Sequence, residues 1–235
     1  YLLERSTYQW GQNYNNGVAL GNPTILNDTQ KPKSISNNLA IEFLPSFEYS
    51  LTGNVYAKYE RGFVSPSPSE LTNKSANQTY YASGVKPETY DSVELGIKDE
   101  ILGNPIGVSV FYTHTNSEIM HESLGSSFSG GWRYYNLDET HRAGVEFISK
   151  QRFWRLHFSQ NLSYIFSRIA KGGNKGAKVP LVPDYKLAFD FGIEALKSAR
   201  HNVTLFINPI FYGNQRDIYN AKIKGYILTD IGGVY

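Results

Sequence analysis

A chain of 235 residues with a net charge of +2 and 19% charged residues has no Lys/Arg-rich stripe with which to hold phosphates, which argues against a nucleic-acid partner. With no cysteine it can have neither a disulfide framework, a thiolate metal site nor a thiol nucleophile. Its 18 Tyr, 13 Phe and 3 Trp suit strands, and no run approaches the roughly 18 apolar residues of a membrane-crossing helix, so any membrane role falls to a barrel.

From about residue 39 onward, apolar and polar residues alternate in segments separated by turn signals, the pattern of consecutive antiparallel strands. The first two predicted strands, about 39–49 and 55–63, flank a tight turn at 52–54. A long loop over 64–88, rich in Ser, Pro and Asn, leads to the third, about 89–98, in which Val93, Leu95 and Ile97 share one face against Ser92, Glu94, Gly96 and Lys98. A short link precedes the fourth strand, about 106–117, and a longer one over 118–133 precedes the fifth, about 134–148. The sixth, about 154–167, follows a short turn and is followed by a longer loop over 168–183. In the seventh, about 184–194, Leu187, Phe189, Phe191 and Ile193 oppose Lys186, Asp190 and Glu194; the eighth and ninth cover about 202–213 and 224–235.

Short and long connections alternate throughout. Strands of an up-and-down array leave at opposite ends in turn, so all the short turns gather on one rim and all the long loops on the other. Such sorting, with segments of about 9–11 residues or more, predicts an antiparallel up-and-down transmembrane β-barrel. Tyr56, Tyr59, Phe63, Tyr112, Tyr134, Tyr135, Trp154, Tyr164, Tyr185 and Tyr212 are candidates for its interfacial aromatic girdles. The rival all-β reading is a soluble carbohydrate-binding module, in which the apolar face meets a second sheet and aromatic rings stack on sugars.

The stretch YAKYERGFVSPSPSELTN, followed after a loop by GVKPETYDSVELGIK, resembles two linked signatures of the TonB-dependent outer-membrane receptors. Gly62, Phe63, Pro66, Glu70 and Leu71 match the first box, and Lys86, Pro87, Glu88, Glu94, Leu95 and Gly96 the second. Gly144, Val145 and Glu146, then Leu181 and Pro183, then Asp230 and Gly232 resemble later family segments in the same order. Val64 stands where the family often has Arg. The resemblance implies a barrel of about 22 strands around a plugged lumen. Here it would be represented by about nine strands over 39–235, preceded over 1–38 by an extracellular loop and the end of an earlier strand, with the plug and the final hairpin outside the chain. It further implies residence in the lipid of the Gram-negative outer membrane. Active uptake of a scarce metal chelate would be energised by the TonB complex acting through the plug, with no intrinsic cofactor and no covalent chemistry.

The expected cargo is a ferric siderophore, with haem, nickel or cobalamin as alternatives within the family. Aromatic rings can stack on a flat chelate and guanidinium groups can complement its negative charge, so candidate ligand contacts lie in the long loops: Tyr80, Tyr81, Met120, His121, Trp132, Arg133, Arg216 and Tyr219. Met120 beside His121 is a conceivable soft-metal or haem pair. Of the other histidines, His114 has outward parity, His141 is expected to approach the outer cavity, and His157 and His201 to lie toward the short turns. No nucleotide-cradling glycine loop or metalloprotease histidine pair points to an enzyme.

Overall fold

Alternating patterns with tight turns between them allow each strand to pair with the next, and the computed structural model realises this as a continuous meander. It describes residues 2–7, 14–15, 18–19, 33–38, 40–75, 80–125, 130–198 and 200–235. In chain order the strands are β1 (Leu2–Thr7), β2 (Tyr14–Asn15), β3 (Val18–Ala19), β4 (Lys33–Asn38), β5 (Ile41–Phe43), β6 (Ser46–Glu48), β7 (Asn54–Val64), β8 (Thr72–Lys74), β9 (Tyr80–Ala82) and β10 (Glu88–Ile101). They continue with β11 (Asn104–Leu124), β12 (Gly131–Phe153), β13 (Leu156–Lys171), β14 (Tyr185–Lys197), β15 (Asn202–Tyr212), β16 (Gln215–Arg216), β17 (Lys222–Ile223) and β18 (Tyr226–Val234). The main sheet runs β5-β7-β10-β11-β12-β13-β14-β15-β18, with every ladder in it antiparallel. The loop and strand end expected over 1–38 lie largely outside the described residues; the backbone described there pairs β1 with β4 and β2 with β3.

All nine expected strands are present, the first of them broken at Leu44 and Pro45 into β5 and β6, both of which pair with β7. Proline has no N–H for the ladder, which accounts for the break. Its carbonyl still accepts the Ala57 N–H at 3.0 Å, which keeps the edge in place. The short turns sit together at one rim. Leu102 and Gly103 both have left-handed φ, 52° and 74°, as a two-residue hairpin turn matched to strand twist requires.

One row of the register shows how the outer face is built: Val55, Ile97, Val108, Phe147, Leu162, Leu187, Phe211 and Ile227 are opposite one another on successive strands. Leu95 is 59% exposed, Val145 47% and Phe191 42%, and among the described residues no second layer covers them. That overturns the sandwich reading. The other face carries the polar row Tyr56, Gly96, Ser109, Glu146, Ser163 and Lys186.

At membrane level two inward rings correct the girdle expectation. Tyr56 donates its hydroxyl to Glu94 Oε1 at 2.5 Å, and the Tyr212 ring lies under the Lys186 ammonium at 5.5 Å, so both face the interior. The glycines of the matched motifs follow from the same inward rings. The Tyr56 ring lies over Gly96 and the Tyr90 ring over Gly62, so close that a Cβ would fall 2.3 Å and 2.4 Å from ring carbons.

The connection expected over 118–133 is largely strand: β11 runs on to Leu124 and β12 starts at Gly131. At Ser117, φ is 57°, and there the face alternation shifts. His114 and Asn116 share the outer face with Tyr112, whereas Glu118 bonds Thr140 and Arg142 on the inner one. The shift removes the period-2 signal on which a strand prediction depends. The long loops also hold short strands, β8 with β9 and β16 with β17.

Candidate functional site

The inner wall at the long-loop rim is supported by a small conventional core. Leu137, Ile169 and Val179 are buried, with Met120, Tyr135, Ala177 and Val182 packed against them. Beneath it, Glu118 accepts hydrogen bonds from Thr140 Oγ1 and Arg142 Nη2, each at 2.6 Å. Glu88 completes the group by accepting the Ile119 N–H at 3.2 Å, a donor freed because β10 begins where β11 continues. Glu88 lies above the membrane-spanning part of β10. Burial pushes its carboxyl above the ordinary carboxylate range, the Ile119 N–H pulls it back, and Glu118 raises it further.

Above this base lies an aromatic and cationic cluster. Arg133 ion-pairs with Glu122 through Nε, and its guanidinium sits 5.3 Å over the Tyr135 ring. Burial raises the Tyr135 hydroxyl pKa, and Glu122 adds to the effect. Tyr219, carried by the loop between β15 and β18, donates its hydroxyl to the Ser123 carbonyl at 3.2 Å and so reaches the tip of β11. Arg216 donates to the Asn220 carbonyl at 3.0 Å, and with Lys178 and Lys222 it lines a polar cavity of about 470 Å³ that extends to Arg168 on the outer face. A second cluster joins Tyr80 and Trp132 edge to face at 6.0 Å, with the Lys74 ammonium 5.5 Å and 5.1 Å from their centres.

Tyr80 and Trp132 therefore come together, as do Met120 and the Arg133 to Tyr135 segment. Tyr81, in β9, is 40% exposed and stands apart. Met120 and His121 do not pair, because consecutive strand residues point to opposite faces. Met120 enters the small core, while His121 packs on Tyr134 at 4.9 Å. His141 does not approach the cavity either; its ring stacks on His114 at 5.0 Å, on the outer face. The sequence reading missed Lys74 and Glu122, which only the register sets beside Trp132 and Arg133, and it placed Tyr135 in the girdle, whereas Tyr135 packs on the small core two residues along the strand from Arg133.

The motif residues anchor the long loop. Glu70 Oε2 accepts the Ser67 N–H at 2.7 Å, and Pro66 and Leu71 are buried. Asn136 clamps the Lys86 peptide from both sides, accepting its N–H at 2.8 Å and donating to its carbonyl at 3.0 Å, and donates to the Ser117 carbonyl at 2.6 Å. Pro87 then delivers the chain into β10, where Glu94 takes the Tyr56 proton donor and Leu95 faces outward. Together they tie the 65–87 segment down on β11 and β12, at the mouth of the inner wall.

Comparison with known proteins agrees with this architecture. The profile of a family described as TonB dependent receptor-like, beta-barrel matches residues 5–235. The fold is similar to that of the ferric yersiniabactin uptake receptor of Yersinia pestis, with a TM-score of 0.64 at 19% identity over 92% of this chain and 32% of that one. It is likewise similar to the ferric preacinetobactin receptor of Acinetobacter baumannii, with 0.63 at 16% identity over 88% and 30%. For a mutant ferric enterobactin receptor of Pseudomonas aeruginosa in complex with enterobactin the values are 0.61 and 19%, over 88% and 34%. The chain spans about a third of the length of these proteins.

Proposed function

The chain belongs to the TonB-dependent receptor family, whose barrels reside in the Gram-negative outer membrane, and from that premise we propose that it is part of the wall of a receptor that takes up a ferric siderophore. The observation that carries the reading is the aromatic and cationic cluster of Arg133, Tyr135 and Tyr219, held on a packed base at the mouth of a polar inner wall. Ring faces there can stack on the chelating groups, and Arg133 and Arg216 can complement the negative charge of a ferric complex. The three structural relatives named above are receptors for ferric chelates, which supports the same class of cargo. Import energised by the TonB complex through a plug follows from the family.

Equilibrium binding to the full-length receptor in detergent tests the proposal, with ferric siderophores, haem, nickel and cobalamin as separate arms. One ferric siderophore class is expected to bind, and replacing Arg133 and Tyr219 together by Ala is expected to weaken it about tenfold or more, the loss of a desolvated cation–π and stacking contact. Binding of haem, nickel or cobalamin in its place moves the cargo within the family. Failure of every arm overturns the uptake reading.

A further inference from the structure

We propose that His114, His141 and Glu139 form a binding site for a divalent transition cation of the Zn²⁺ class on the outer face of the wall, where the strands leave the hydrocarbon. This site is separate from the cargo cluster and goes beyond the uptake reading. His114 on β11 stands directly opposite His141 on β12, and Glu139 lies two residues from His141 on the same strand, so strand alternation puts all three side chains on one face. Their donor atoms lie within 4.8 Å of one another, and this is the one such trio of His, Asp or Glu among the described residues.

The distances are those of a metal edge. Glu139 Oε1 is 3.2 Å from His114 Nε2 and 3.3 Å from His141 Nε2. Zn–N and Zn–O bonds of roughly 2.0–2.1 Å in a tetrahedron put neighbouring ligand atoms about 3.3 Å apart. His114 Nε2 is sealed from solvent and makes no hydrogen bond among the described residues, although a carboxylate oxygen lies 3.2 Å away. A nitrogen and a carboxylate oxygen this close with no hydrogen bond between them can both bond a cation set beside them. The second ring nitrogen of His141 is provided for as well. Its Nδ1 lies 2.6 Å from the Tyr112 hydroxyl, the partner that fixes a ligating imidazole with its other nitrogen free for metal.

The surroundings place and tune the site. Tyr112, two residues below His114, lies in the outward row with Tyr59, Val93, Ala143 and Phe166. The next row toward the long-loop rim is Arg61, Asp91, His114, His141 and Arg168, at the level of lipid headgroups. Asp91 is engaged by the Tyr59 hydroxyl at 2.7 Å and by Arg61, and Arg168 lies 4.4 Å over the Phe166 ring. Lys171 holds the other oxygen of Glu139 from an exposed position, so Oε1 stays available. Three protein ligands leave one coordination position for water or a headgroup phosphate.

Calorimetry of the full-length, chelator-stripped receptor with ZnCl₂ alone tests the site. One equivalent is expected to bind in the micromolar range or tighter. Replacing both histidines by Ala is expected to lower the affinity about 100-fold, and Tyr112→Phe roughly tenfold, the usual cost of losing an outer partner. Heat-modifiable gel mobility of the variants reports whether the barrel has formed. On the wild-type receptor, Zn²⁺ is expected to slow acylation of His114 and His141 by diethyl pyrocarbonate, which needs no variant. Unprotected histidines, or a folded double variant that binds Zn²⁺ like wild type, overturns the proposal.

Discussion

The wall at membrane level and the ladder above it are parts of the same strands, yet they are held together differently. In the wall, Leu95, Val110 and Val145 are exposed in a row and the inner side is polar, so among the described residues this region has no apolar core of its own; its backbone ladder and the surrounding hydrocarbon must stabilise it. Above it, the five buried hydrophobics among the described residues, Leu71, Val85, Leu137, Ile169 and Val179, gather at the long-loop end. There the chain meets water on every side and must bury apolar surface against itself. The same sequence thus solves a lipid problem at one level and an aqueous one a few residues higher.

Leu137→Ala tests the contrast most strongly. A cavity among Ile169, Val179 and Met120 is expected to cost about 2–5 kcal/mol. The cost is expected locally: faster hydrogen exchange and proteolysis over 118–137 and 172–182 in the full-length receptor, with exchange in the wall unchanged. Val145→Arg makes the opposite test, placing a charge in hydrocarbon at about 2–4 kcal/mol. Denaturant unfolding in bilayers is expected to show that loss, while Glu146→Gln on the adjacent inward position shows little. Slower proteolysis than this contrast requires at the loops of Leu137→Ala would mean that the upper region does not depend on its own core. The smallest effect belongs to Asn136→Ala, which frees both sides of the Lys86 peptide at about 1–3 kcal/mol. Limited proteolysis is expected to cut the 65–87 loop faster, with barrel stability preserved.

Legibility in the sequence follows the same division. Val93, Leu95 and Ile97 alternate with Ser92, Glu94 and Gly96 because one side of β10 meets lipid and the other the interior, so nine strands and the sorting of their turns could be read directly. Above Ser117 that contrast is gone. Met120 is drawn into a core, Trp132 joins Tyr80 and Lys74, and neither environment imposes a period on its neighbours. The adjacency of Met120 and His121 was misleading for a related reason, since neighbours in a strand are on opposite faces, while His114 and His141, 27 positions apart, are in contact.

What the amino-acid order determined by itself is the two-sided strand and the place of each turn, because a bilayer and a wet interior act on single residues and leave a mark every second position. What only the tertiary structure decided is register: which ring covers Gly96, which peptide Asn136 clamps, and that Glu139 lies between two histidines from neighbouring strands. Those contacts depend on how far one strand slides past the next, and that is set by hydrogen bonds summed over the whole ladder, with no residue recording it alone.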